Sequence, residues 1–136
     1  MVEDPDEQDA QVIEFAHRMF ELARNGGTDE LGVALSRGLP SNLTNDKGDT
    51  LLMLAAYHDH PDTVRVLLAA GADPSRTNDR GQTALAAGVF RQNEATVRAL
   101  LGAGADPDEG GPSAREMATF FQLPAMAAIL DEPRGG

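Results

Sequence analysis

Residues 45–77 read NDKGDTLLMLAAYHDHPDTVRVLLAAGADPSRT, and residues 78–107 read NDRGQTALAAGVFRQNEATVRALLGAGADP. The two segments share many identical residues at a constant offset of 33. In the first segment these include Gly48, Thr50, Leu52, Val64, Leu67, Leu68, Gly71, Ala72, Asp73 and Pro74. A fixed period of roughly 20 to 50 residues is typical of stacked repeats, in which each unit buries its apolar face only against its neighbours. The two segments therefore predict a repeat architecture.

Each repeat has the pattern of two short antiparallel helices. In the first copy, residues 45–48 predict a turn and Thr50 the start of a helix. Pro61 suits the first turn of the second helix, because the N–H that it lacks would have no partner there. Gly71 ends that helix, and residues 73–74 lead into an extended loop. Small apolar residues on the first helix of each copy allow close stacking.

Degraded copies flank this pair on both sides. Residues 9–23 predict an amphipathic helix, and Thr28 is expected to cap a second helix that runs to about residue 37. Beyond the central pair, a shortened turn leads to a helix that opens at Ser113 and to a last helix after Pro124. Both flanking units depart from the central pattern as capping units do, since their outer faces meet water.

The sequence thus predicts one all-α domain over residues 9–131, with about four repeats. The expected repeats are residues 9–44, 45–77, 78–108 and 109–131. Residues 1–8 are acidic and contain a proline, a composition that predicts a disordered tail. Residues 132–136 are expected to form a second flexible tail.

Charge and composition narrow the classes of partner and location. The chain has 22 acidic residues against 11 Lys and Arg, which gives a net charge of -11. A negative field repels phosphate backbones and anionic lipid headgroups, so we expect a protein partner with a basic or mixed apolar and basic surface, and neither nucleic acid nor membrane. Without cysteine there is no disulfide or thiolate chemistry. The absence of a signal-like start or a long apolar run makes the cytoplasm the expected location.

The central units resemble the ankyrin repeat. The family pattern is glycine, threonine-proline-leucine-histidine, paired alanine, glycine-histidine, valine, paired leucine and glycine-alanine-aspartate. Its matches in the first copy are Gly48, Thr50, Ala55, Ala56, His60, Val64, Leu67, Leu68, Gly71, Ala72 and Asp73. The proline and histidine of the signature are replaced by Leu51 and Met53 in one copy and by Ala84 and Ala86 in the other, which predicts less rigid turns. The resemblance implies a helical solenoid that binds proteins through a concave groove.

The resemblance also implies which columns of equivalent residues face that groove. The two residues that follow the paired alanines carry aromatic and Arg side chains, which commonly anchor interfaces. These candidates are Tyr57, His58, Phe90, Arg91, Phe120 and Phe121, with Arg24 and Asn25 as their counterparts in the first unit. The turn tips, expected to form a polar rim, contribute Asp46, Lys47, Asp79 and Arg80. The alternative is that Phe90 and Phe120 only fill gaps left by short alanines.

Enzyme and metal functions find little support in the sequence. His58, Asp59 and His60 are metal-ligand types, but no third His or Cys has a spacing that would complete a tetrahedral site. His60 also matches the family histidine, which a structural hydrogen bond explains. No nucleophile motif and no phosphate-binding glycine loop occurs. We therefore expect a non-catalytic protein without a cofactor or metal.

Two other functions stay open beside partner binding. The chain could self-assemble through its apolar C-terminal cap, which includes Phe121, Leu123 and Met126. It could also be an accessory or regulatory subunit of a stress-related enzyme, because short bacterial ankyrin proteins sometimes resemble factors encoded beside oxidative-stress enzymes. A monomer is expected rather than a homo-oligomer.

Overall fold

The computed structural model describes the backbone of residues 5–133 and the side-chain burial of residues 9–133. Over this range the chain forms eight helices and no extended strand. The helices are α1 (Pro5–Asn25), α2 (Thr28–Ser36), α3 (Leu51–Tyr57), α4 (Pro61–Ala69), α5 (Ala84–Phe90), α6 (Glu94–Gly102), α7 (Ala114–Phe120) and α8 (Pro124–Leu130). The odd-numbered helices pack side by side in one layer, and the even-numbered helices pack in a second layer behind them. This arrangement confirms the predicted all-α solenoid.

Hydroxyl side chains set the starts of three inner helices. Thr50, Thr83 and Ser113 each accept a hydrogen bond at 3.1 Å from the backbone N–H three residues further along. Each bond satisfies a donor that has no partner within the helix. Glu116 returns the interaction by accepting from the Ser113 N–H, which completes a capping box. The helix starts predicted at Thr50 and Ser113 are confirmed.

The first unit begins differently from the sequence prediction. α1 starts at Pro5, four residues before the expected position, because a proline fits the first turn of a helix. The other residues of the predicted acidic tail, 1–4, lie outside the described residues, as do residues 134–136 of the predicted C-terminal tail.

Thr28 does not cap α2, although the sequence suggested it. The N-cap is Gly27, and no side chain bonds to the free N–H groups at this end of the helix. The Thr28 hydroxyl lies 2.7 Å from the Thr63 hydroxyl and donates at 3.3 Å to the Gly26 carbonyl. A bond between repeats therefore takes the place of the predicted cap.

The core is a continuous column of equivalent residues. Val64 and Leu67 in one repeat, and Val97 and Leu100 in the next, are all fully buried. In the last repeat the shorter turn places Arg115 where the preceding repeat has a buried leucine. The solenoid consequently ends in a polar face, as a capping unit requires.

Hydrogen bonds link the successive turns that precede the inner helices. Asn78 Nδ2 donates to Asp49 Oδ1 at 2.7 Å, and the Asp79 N–H donates to the Lys47 carbonyl at 3.1 Å. These bonds join adjacent turns in repeats that lack the signature histidine of the family. The turns therefore stack in register beside the inner helices.

Equivalent buried threonines differ in whether they have a partner. Thr63 and Thr96 are both fully buried, yet only Thr63 has a hydroxyl neighbour, Thr28. The Thr96 hydroxyl has no hydrogen-bond partner among the described residues. In the next repeat, the residue equivalent to Thr28 is Pro61, the first residue of α4. Proline has no hydroxyl group, so it cannot bond to Thr96 as Thr28 bonds to Thr63.

This difference predicts opposite responses to one substitution. We expect Thr63→Val to lower the free energy of unfolding by about 1 kcal/mol, because it breaks a buried hydrogen bond. Thr96→Val should leave that free energy unchanged or raise it, since it removes an unsatisfied buried hydroxyl. Urea unfolding followed by circular dichroism measures both. Equal losses in the two variants would contradict this account.

Candidate functional site

The inner helices and the turns before them enclose a groove with a volume of about 1290 Å³. Its floor comes from α3, α5 and α7, and its edge comes from the stacked turns. The predicted site residues that line it are Arg24, Asp46, Lys47, Tyr57, His58, Asp79, Arg80, Phe90, Phe120 and Phe121. Arg91 and Asn25 do not line the groove. The structure thus brings together all but two of the candidate side chains.

Four aromatic rings form a contiguous row along the groove. Tyr57 and Phe90 are parallel, with an interplanar angle of 1° and ring centroids 6.3 Å apart. The Phe90 ring then meets the edge of Phe121 at 5.7 Å, and Phe121 meets Phe120 at 5.0 Å. The sequence pattern placed Phe90 and Phe120 at equivalent positions of successive repeats. The ring that contacts Phe90 is instead that of Phe121, the C-cap residue of α7. We call these four residues the aromatic row.

The aromatic row lies at the surface. Tyr57, Phe90 and Phe121 are between 42% and 49% exposed, and Phe120 is 79% exposed. Beneath them the core is already filled, since Ala56 and Val89 are completely buried. Rings that filled gaps in the core would be buried, so these exposures disfavour the packing alternative. A contiguous exposed apolar surface of this kind is typical of an interaction site.

The turn tips contribute charges of both signs to the edge of the groove. Asp46, Lys47, Asp79 and Arg80 are all exposed. None of the four belongs to an ion pair within the described range. Their charges are therefore available to a molecule that enters the groove.

His58 lies at the end of the aromatic row, with its ring at 81° to that of Tyr57 and centroids 5.1 Å apart. Burial lowers the pKa of His58 below its ordinary value of 6.5, and the positive charge of Arg24 lowers the pKa further. The imidazole is consequently neutral near pH 7. Next to the rings it acts as a further flat, largely apolar surface.

Arg91, which the sequence suggested for the groove, lies outside it and near an acidic residue of the neighbouring repeat. Its guanidinium lies 3.8 Å from the Asp59 carboxylate, and Asp59 also accepts from Asn93 Nδ2 at 2.7 Å. Asp59 and Asn93 belong to the turns that join α3 to α4 and α5 to α6. These contacts connect neighbouring repeats outside the groove.

His60 makes a structural contact, as its match to the family histidine implied. Its Nε2 lies 2.7 Å from the Arg24 carbonyl oxygen, which joins the start of α4 to the end of α1. Within residues that the structure describes, no group of three or more His, Cys, Asp or Glu is arranged to hold a metal ion. No helix in the described range has the length and apolarity to cross a membrane.

Sequence reasoning found Phe120 and Phe121 of the last repeat but missed the other residues that this repeat contributes to the groove. Pro112, Arg115 and Met117 line it together with the predicted rings. Since the last turn is shortened, the offset from the preceding repeat is 30 rather than 33 residues. Counting from Ser113, which takes the place of Thr83, would have placed Met117 beneath the groove beside Ala87.

Comparison with known proteins gives two matches. A family model described as ankyrin repeats, in 3 copies, matches residues 19–110. A segment of 59 residues is 56% identical to a protein of Pseudomonas aeruginosa that is described as an ankyrin repeat protein. This match covers 43% of the chain and 34% of the relative, so the chain spans about a third of the length of that protein.

The cause of the lowered His58 pKa is open to a direct test. Replacement of Arg24 by Gln removes a positive charge, so we expect the pKa of His58 to rise toward 6.5. Burial should keep the pKa below that value in the variant. NMR titration of the imidazole C–H signals measures this change. An unchanged pKa in the variant would show that Arg24 does not act on His58.

Proposed function

The chain belongs to the ankyrin repeat family, whose repeats are generally protein-interaction modules, and on that premise we propose that it binds a partner protein through its groove. The observation that carries the proposal is the aromatic row. Aromatic side chains supply a large contact area at low entropic cost and dominate the binding energy of many interfaces. In this proposal Tyr57, Phe90, Phe121 and Phe120 anchor the partner.

The turn tips supply the polar rim of the same surface. Asp46 and Asp79 would pair with basic side chains of the partner, while Lys47 and Arg80 would donate hydrogen bonds to its carboxylates. The net charge of -11 favours partners with a basic or mixed apolar and basic surface, since long-range attraction raises the rate of association. Rim charges would select the orientation of the partner, and the rings would supply most of the affinity.

We further propose that the chain works as a cytoplasmic monomer, without a cofactor and without catalysing a reaction. Arg115 supports the monomer, because it bonds to Asp108 at 2.9 Å and to Asp131 across the end of the last repeat. Another repeat could not stack there without burying these charges. Met126, one of the residues suggested for self-assembly, is only 5% exposed.

Alanine substitution in the aromatic row tests the proposal. Tyr57→Ala and Phe90→Ala should each weaken binding by about tenfold or more, because each removes a central anchor. The partner is first captured from extracts of the source cell on the immobilised chain and identified by mass spectrometry. Its affinity for each variant is then measured by calorimetry with the purified protein. Identification of the partner also shows whether it is a stress-related enzyme.

The matched control is Val33→Ala. Val33 is 51% exposed on α2, outside the groove, so its loss should leave binding unchanged. Circular dichroism should show near-native helix content and melting for all three variants. If Tyr57→Ala and Phe90→Ala unfold the protein, these rings are core residues. If affinity is unchanged, the binding site lies elsewhere.

A further inference from the structure

α1 is much longer than the other inner helices. It has 21 residues, whereas α3, α5 and α7 have 7 each. The repeat offset aligns α3 with residues 18–24 of α1, so residues 5–17 extend beyond the solenoid by roughly 20 Å at 1.5 Å per residue. The first inner helix therefore has an overhang that no other repeat has.

The apolar face of α1 continues along this overhang. Met19 and Phe20 are buried at 2% and 3% exposure. Two turns earlier, at the same angular positions, stand Val12 and Ile13, and Phe15 lies one turn before Met19. These three residues are 67%, 53% and 51% exposed. We call Val12, Ile13 and Phe15 the overhang face.

One residue of the overhang face, Ile13, borders a cavity. A cavity of about 520 Å³ lies between α1 and the turn that precedes α3. Ile13 and Phe20 line it on the α1 side, and Thr44 and Asn45 line it on the turn side. Since Asp46 lines both this cavity and the groove, the two concave surfaces adjoin each other.

The charge around the overhang face has one sign. Residues 3–14 include six carboxylates, and the chain has no Lys or Arg before Arg18. Asp9 and Glu14, the two of these acids whose burial is described, are both exposed. Arg18 does not neutralise them, because its Nε donates to Glu30 on α2 at 2.8 Å. Neither Asp9 nor Glu14 belongs to an ion pair within the described residues.

We propose that the overhang face binds a basic amphipathic segment of a partner protein. The apolar side chains of that segment pack on Val12, Ile13 and Phe15 and enter the adjoining cavity. Its Lys and Arg side chains pair with the exposed acids Asp9 and Glu14 of α1, in the way that amphipathic helices dock on complementary grooves. A second copy of the chain is disfavoured as the occupant, since two overhangs would bring like charges together.

This surface is distinct from the groove, and its residues differ from those of the aromatic row. Loss of binding at one surface can therefore be measured independently of binding at the other. Val12, Ile13 and Phe15 are all more than half exposed. Alanine at these positions therefore changes the surface without leaving a cavity in the core.

A synthetic peptide provides the probe. We choose a fluorescent 14-residue peptide of Leu and Lys whose leucines recur at helical spacing, and a scrambled peptide of the same composition. The chain should bind the amphipathic peptide more tightly than the scrambled one in an anisotropy titration at physiological ionic strength. The combined variant Val12→Ala, Ile13→Ala, Phe15→Ala should weaken that binding about tenfold or more, because it keeps every charge and removes the apolar anchors.

Two control variants locate the effect. Val33→Ala removes an exposed apolar side chain elsewhere, and the combined variant Tyr57→Ala, Phe90→Ala removes two anchors of the groove. Both should bind the amphipathic peptide as the unmodified chain does. Alanine favours helix, so the overhang variant should retain the helix content and melting of the unmodified chain.

Several results would overturn the proposal. The overhang face is not the site if the peptide binds the overhang variant with undiminished affinity, or if loss of the groove rings abolishes binding. Equal affinity for the scrambled peptide would show that the interaction depends on charge alone. A dimer seen by light scattering, and made monomeric by the overhang variant, would make a second copy the occupant. Tighter binding of anionic lipid vesicles than of the peptide would make a membrane the occupant.

Discussion

Stacking of the inner helices is the constraint on which the rest of the structure depends. Each inner helix after α1 has only 7 residues and cannot bury its apolar side chains alone. Ala55 and Ala56 of α3 are fully buried, because small residues let the neighbouring inner helices approach closely. These small side chains do not protrude from the floor of the groove. The large side chains at its edge therefore project into the groove. The exposure of Tyr57 and Phe90 thus follows from the packing that holds the repeats together.

Most of the fold could be predicted from the sequence, and less of the candidate site. Repeated identities at an offset of 33 indicated stacked helix pairs, because a repeat in sequence becomes a repeat in packing. The contact between Phe90 and Phe121 was not predictable, since it depends on where a side chain turns after the last residue of a helix. The bond between Thr28 and Thr63 was also missed, because its partners do not share the repeat offset.

Local backbone strain accompanies the aromatic row. The residues that follow His58, Arg91 and Phe121 have positive φ angles of 73°, 55° and 53°, although none is glycine. Side chains other than Gly, Asn and Asp rarely adopt this region, which costs roughly 1 kcal/mol per residue. The cost therefore falls on Gln92 and Gln122, whereas Asp59 is of a type that tolerates this region and also bonds to Asn93. Backbone strain tends to cluster at functional sites, and Gln92 and Gln122 follow the helices that carry Phe90 and Phe120.

The groove and the overhang face adjoin, and their chemistry differs. The groove offers stacked rings with charges of both signs, whereas the overhang offers aliphatic and aromatic side chains among acids. Asp46 and Arg24 lie at the junction, where both concave surfaces share them. A partner that carries a basic amphipathic segment next to its groove-binding surface would therefore meet the second site at a high effective concentration once the first is filled. Two modest contacts would then give a tight complex, and a partner with only one of the two features would be held weakly. On this proposal, the long first helix would add a selectivity for the partner that the repeats alone do not provide.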